Sequence, residues 1–116
     1  MKAEELELSL LFDYYGDLLT EKQRTCFELY YNQDLSLSEI AQEAGISRQG
    51  VHDSLTRARA TLQAMEAKTG AMDRDRRCRA AVARIWAAAQ SLCQSSDPEI
   101  HRLALEIMAA ADTIKE

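Results

Sequence analysis

Apolar residues recur every three to four positions along the whole chain, and no stretch alternates polar and apolar as a strand does. Leu8, Leu11, Phe12, Tyr15, Leu18 and Leu19 predict an amphipathic helix over residues 4–15, with Gly16 as its C′ stop. Thr20 begins a second helix, with Glu21 at its positive end. Its inward face is Gln23, Cys26, Phe27 and Tyr30, and Asn32 fits its end. Ser36 caps a short third helix, and Glu39 three residues on completes a capping-box pattern. That helix carries Leu37, Ile40 and Ala41 and stops near Ala44-Gly45.

Ser47 caps the longest element. Val51, Leu55, Ala58, Leu62 and Met65 form a heptad-like seam that runs to about Ala67, before Thr69-Gly70 breaks it. A helix of ~20 residues is ~30 Å long. Three short helices do not cover that length, so its C-terminal half is expected to need a partner from the tail. The tail supplies two stripes: Cys78, Val82, Ile85, Ala89 and Leu92, then Ile100, Leu103, Ile107, Ala110 and Ile114. Asp97-Pro98-Glu99 marks the start of the last helix, with Asp as cap, Pro at the first helical position and an acid in the first turn.

The most informative stretch runs from Leu35 to Ala58: short helix, three-residue turn, longer helix. Small Ala41 lets a second helix approach the first. Gly45, four residues later, suits a left-handed turn that a Cβ penalises. Val51 then plugs the second helix onto Ala41, and Ile40, Ile46 and Leu55 complete a miniature core. This is the helix-turn-helix arrangement. It turns Ser47, Arg48, Gln49, His52, Asp53 and Thr56 toward the major groove of DNA. Arg48 suits guanine and Gln49 adenine, while Ser47 and Ser38 suit phosphate. Arg57 suits the sugar–phosphate backbone. Asp53 repels phosphate but can accept from cytosine. Gly50 costs about 1 kcal/mol against Ala inside a helix; close approach of a partner and a tight helix crossing explain it equally well.

The same stretch carries a resemblance. The words LFDYYGDLLTEKQR, ELYY, DLSLSEIA and SRQ, spread between Leu8 and Leu62, resemble the YlxM family of bacterial helix-turn-helix proteins. That family is in turn similar to region 4 of sigma-70-type transcription factors. The resemblance implies an all-helical fold and a role as a small regulator. Because family genes neighbour those of the signal recognition particle, it also implies components of that pathway as partners. Gly50 and His52 stand where relatives have Ala and Tyr, which alters the groove-facing surface. Beyond Gly70 the tail is read from physics alone.

Composition narrows the picture. A chain of 116 residues, 47% hydrophobic, builds one core, and its single Pro and four Gly exclude collagen-like and low-complexity classes. No apolar run approaches the roughly 18–20 residues that span a bilayer, so no membrane insertion is expected. The acidic N-terminus lacks the pattern of a secretory signal. Three Cys in no C-x-x-C pair fit a reducing cytoplasm. The net charge of −5 argues against coating nucleic acid by bulk electrostatics and leaves room for a local basic patch. Residues 1–70 carry all of that excess, with seven Lys/Arg against twelve Asp/Glu.

The remaining candidates have bland explanations. Arg74, Arg76, Arg77, Arg79 and Arg84 read first as a solvated face paired with Asp73 and Asp75, and only second as an RNA surface. His52 and His101 are isolated, so no metal is expected, and no cofactor. No activated nucleophile or phosphate loop is recognisable, so no enzyme is expected.

The expectation is therefore an all-α chain of five to six helices without a wing, forming one compact domain. Residues 1–70 are a sigma-region-4-like unit, with the helix-turn-helix proper at about 36–56. Residues 71–116 are a helical tail that packs on the long helix or forms a dimer interface, with Trp86, Leu62 and Met65 as interface residues. Two functions fit. One is a homodimeric DNA-binding regulator. The other is an interaction module for protein or RNA of the signal recognition particle pathway.

Overall fold

The computed structural model describes residues 3–114. The described residues form six α-helices: α1 (Ala3–Tyr15), α2 (Glu21–Phe27), α3 (Leu37–Ala44), α4 (Arg48–Thr69), α5 (Ala71–Leu92) and α6 (Pro98–Ile114). A 3₁₀ turn at Gly16–Leu18 follows α1, and a π-turn at Glu28–Asn32 extends α2. The all-α reading is thus met, and no strand occurs among the described residues. The expectation of one compact domain gives way to two units, Met1–Met72 and Asp73–Glu116. The boundary falls just past Gly70 because Met72 is still buried with the core of the first unit.

In the first unit, Phe27 is completely buried. Its ring stacks on Phe12 at 4.6 Å and leans on Tyr31 at 4.4 Å. Leu8, Leu11 and Tyr15 of α1, Cys26 of α2, Ile40 and Ala41 of α3, and Val51, Leu55, Ala58 and Leu62 of α4 close around it. The sequence seam of α4 is therefore its buried line, with Met65 packed at the edge.

The far end of α4 is covered differently from expectation. Within the first unit it is covered by α1 and by Met72 at the start of α5. The Tyr15 hydroxyl donates to Glu66 Oε1 at 2.5 Å and lies 2.9 Å from Thr69 Oγ1. The same carboxylate oxygen accepts the Met72 backbone N–H at 3.0 Å. A helix of 13 residues is ~20 Å long, enough to lie along most of α4.

Four local readings change. Gly16 is no left-handed stop: it opens the 3₁₀ turn, where a Cβ would sit 3.4 Å from the Phe12 ring. Leu18, in that turn, is exposed. Gln23 is not inward; it completes a reciprocal capping box with Thr20, each satisfying a backbone N–H of the other. Past Phe27 the π-turn breaks the 3.6-residue period, so Leu29 is buried and Tyr30 is half out.

The two helices of the helix-turn-helix begin and end as their chemistry dictates. Ser36 Oγ accepts the Glu39 N–H at 3.1 Å, and Glu39 Oε1 accepts the Ser36 N–H at 3.0 Å. That backbone donor holds the Glu39 carboxyl below the usual carboxylate range. Gly45 ends α3 at φ 70°, in the left-handed region. Gly45→Val should cost ~1–3 kcal/mol, because a β-branched residue is forced to positive φ. Nothing lies within 4 Å of the Cβ position, so strain and not collision is the cause. An unchanged thermal midpoint would contradict the left-handed turn.

In the second unit Pro98 opens α6, with Asp97 Oδ1 accepting the Glu99 N–H at 2.9 Å. Of the two predicted stripes, the first contributes Val82 and Ala89 to the buried residues and the second contributes none. Val82, Ala89, Ala104 and Ala111 are buried, whereas Cys78, Ile85, Leu92, Ile100, Leu103, Ile107, Ala110 and Ile114 are exposed. Three of the four buried positions are Ala. The larger residues lie one step round each helix.

Candidate nucleic-acid interface

Ser47 caps α4 with extended φ and ψ, and its hydroxyl accepts the Gly50 N–H at 2.9 Å. From that start, helical geometry places Val51, Ser54, Leu55 and Ala58 inward. Gln49, His52, Asp53 and Thr56 fall on the opposite side, with Arg48 and Arg57 on its two flanks. All of these six, Ser47 itself, and Ser38 in the first turn of α3 are exposed. Every residue assigned to DNA in the sequence therefore lies on accessible surface. The structural residues Ile40, Ala41, Val51 and Leu55 are buried, and Ile46 packs against them.

The side chains on this face are partly committed to one another. Gln49 Nε2 donates to Asp53 Oδ1 at 3.1 Å, and His52 Nδ1 lies 3.8 Å from the same oxygen. Asp53 is thereby turned along the helix toward its neighbours. Thr56 Oγ1 donates to the His52 carbonyl at 2.9 Å. Arg48 and Arg57 form no ion pair among the described residues, which leaves two guanidinium forks open to solvent. Arg has the planar donor geometry that matches guanine edges and phosphate.

Tertiary structure adds residues that no spacing rule points to. A concavity of about 310 Å³ beside α4 is lined by Thr20, Lys22, Gly50, Asp53, Ser54 and Arg57. Lys22 sits on α2, yet it borders the same hollow as Arg57. Arg59 is anchored by donating to the Tyr31 hydroxyl at 2.9 Å. Gly50 faces its own turn and this hollow: an added Cβ would come within 3.2 Å of Ser47 Oγ and 3.7 Å of Ile46. A tight helix crossing is therefore not its reason. Cys26 is deep in the core, where burial pushes its thiol up and makes it a poor nucleophile.

Two of the tail arginines are paired on a solvated face, Arg77 to Asp73 at 3.4 Å and Arg79 to Asp75 at 3.5 Å. Leu62 is completely buried inside its own unit and Met65 partly so. Leu62 therefore offers no surface to a second chain, which corrects its assignment to a dimer interface. Trp86 is half-buried on α5.

Comparison with known proteins agrees with this architecture. A UPF0122 protein of Thermoanaerobacter sp. strain X514 is 41% identical over 108 residues, 92% of each chain. A UPF0122 protein of Desulforamulus reducens is 55% identical over 64 residues, 55% of each chain. One of Clostridium kluyveri is 51% identical over 70 residues, covering 60% of this chain and 63% of its own. The family described as "Putative helix-turn-helix protein, YlxM / p13 like" matches residues 2–96. With that match spanning the helix-turn-helix and all of α5, and with relatives aligned along nearly the whole chain, this protein belongs to the UPF0122 family of YlxM / p13-like helix-turn-helix proteins.

Proposed function

We propose that the protein is a cytoplasmic, homodimeric DNA-binding regulator that reads base edges with the first two turns of α4. The observation that carries this reading is the free presentation of Arg48 at the first helical position, flanked by Ser47 and Gln49 and backed by the Ala41–Val51 contact region. Base contacts from the N-terminal residues of the second helix are how such units recognise sequence. Ser47, Ser38, Arg57 and the start of α4 supply backbone contacts, which position without specifying. His52, Asp53 and Thr56 complete the groove-facing surface. Three unpaired cysteines suit a reducing compartment.

The test is selection from random oligonucleotides at moderate salt. Wild type should enrich a defined site. Arg48→Ala should cost ~1–3 kcal/mol on that site and relax preference at one base pair. Arg57→Ala should weaken all sequences alike and flatten the salt dependence. Absence of any enriched sequence would overturn base reading.

A second reading is an interaction module for protein or RNA of the signal recognition particle pathway. One observation favours it: Gln49 is tied to Asp53 at 3.1 Å, so the amide best suited to adenine is partly engaged beside a carboxylate. Retention of RNA or protein, and not DNA, in nuclease-controlled pull-downs is its expected signature.

A further inference from the structure

Two cations from different helices meet in a unit that is otherwise acidic. Residues 1–70 carry seven Lys/Arg against twelve Asp/Glu. Yet Lys22 of α2 and Arg57 of α4 border one hollow of about 310 Å³. Neither forms an ion pair among the described residues. Both are exposed, so core packing does not hold them there. This is the local basic patch for which the net charge of −5 leaves room.

The rest of the hollow suits an anion. Gly50 and Arg57 are seven residues apart, ~20° short of two full turns, so they share one line of α4. Gly50 contributes only backbone to that line, which lets a ligand approach more closely than a side chain allows. Ser54, bonded to the Cys26 thiol, closes the hollow on its buried side. Gln23 Oε1 accepts the Thr20 N–H, and its Nε2 is left as a neutral donor at the rim. The one opposing charge is Asp53, and its Oδ1 already accepts from Gln49 and faces His52. Two positive charges therefore stand against one engaged carboxylate.

We infer that this hollow seats a single backbone phosphate of DNA, clamped between Lys22 and Arg57 over the bare backbone of Gly50. A helix about 10–12 Å across nearly fills a major groove ~12 Å wide, so the bordering strands press on its flanks. The Gly50–Arg57 line is such a flank. It lies between the outward edge at Asp53 and the buried line at Val51 and Ala58. Arg57 offers a planar fork and Lys22 a point charge, and both suit phosphate oxygens. Because Lys22 belongs to α2, the clamp ties a second helix to the same strand. It fixes how α4 sits in the groove, and so positions without specifying. It also accounts for Gly50, which a tight helix crossing does not. The inference rests on the DNA-binding reading above and deepens it.

Anisotropy titration of the full chain against a random-sequence duplex, repeated at several salt concentrations, tests it. Lys22→Gln should weaken binding to every duplex alike, by roughly three- to tenfold. Lys22→Arg should stay close to wild type. Lys68→Gln makes the same charge change in the last turn of α4 and should leave affinity unchanged. Helical circular dichroism should be retained throughout, since Lys22 and Arg57 are exposed. The double variant Lys22→Gln/Arg57→Gln counts the phosphates. The slope of log affinity against log salt should fall by about 1, the contribution of one shared phosphate. A fall of about 2 assigns the cations to separate phosphates and overturns the clamp. So does a Lys22→Gln variant that binds like wild type.

Inorganic phosphate at matched ionic strength should displace the duplex no better than chloride. Saturable displacement that Lys22→Gln abolishes would give the hollow to a free phosphate ligand and overturn the proposal. The clamp and base reading fail separately. Weakened binding by Lys22→Gln with no enriched sequence defeats base reading alone. An enriched sequence that Lys22→Gln binds as tightly as wild type defeats only the clamp, and a wild type that binds no duplex defeats both.

Discussion

Phe27→Ala is expected to cost ~3–5 kcal/mol and to leave the first unit largely unfolded. Phe27 is completely buried and is the common neighbour of Phe12 and Tyr31, with ring centroids 4.6 and 4.4 Å away. Truncation removes the transfer energy of the ring, opens a cavity among α1, α2 and α4, and forfeits two aromatic pairings of about 0.5–1.5 kcal/mol each. A domain's total stability is only about 5–15 kcal/mol, and small units sit at the low end. Urea titration followed by near-ultraviolet circular dichroism reads the effect. Leu18→Ala, at a 59% exposed position, is the matched control and should stay within ~0.5 kcal/mol of wild type. Equal midpoints for the two variants would remove Phe27 from the centre of the fold. DNA binding should fall with folding, since Ile40, Val51 and Leu55 rest on the same core.

Leu62→Ala is expected to cost ~2–5 kcal/mol, and the loss should not depend on protein concentration. Leu62 has no exposed surface, and its cluster contains only residues of the first unit. Its seam position in the sequence equally suits a dimer contact, and the two roles separate cleanly. A core residue shifts the unfolding midpoint alike at low and high concentration. An interface residue shifts it through mass action and lowers the mass seen by light scattering. A concentration-dependent loss would return Leu62 to the interface and displace α1 from the end of α4.

The positions of the helices were legible in the chain. Each starts or ends on chemistry that acts within one turn: Ser36 with Glu39, Ser47 with the Gly50 N–H, Gly45 at φ 70°, Asp97 with Glu99. Such signals need no tertiary partner. The helix-turn-helix was legible for the same reason, because Ala41, Gly45 and Val51 are separated by only a few residues. Gln23 misled because a capping amide and an inward amide share the same helical spacing. Leu29 was hidden because the π-turn shifts the period locally.

Where partners are far apart in sequence, periodicity is silent. It shows that the end of α4 wants a cover but not that Tyr15, 51 residues from Glu66, provides it. It does not bring Lys22 to the hollow beside Arg57. In the tail it finds the right helices, and on α5 it finds Val82 and Ala89, but on α6 it misses Ala104 and Ala111, since a stripe of Ile and Leu and the adjoining stripe of Ala fit one heptad equally well. Sequence by itself determined an all-helical chain of five to six helices, several of their caps and the exposed face of the helix-turn-helix, all of which depend on contacts within a turn or two. Tertiary structure alone decided which apolar residues of each stripe are buried, Val82 and Ala89 but not Ile85 and Leu92, because burial depends on what packs against each position, and the period of one helix carries no record of that.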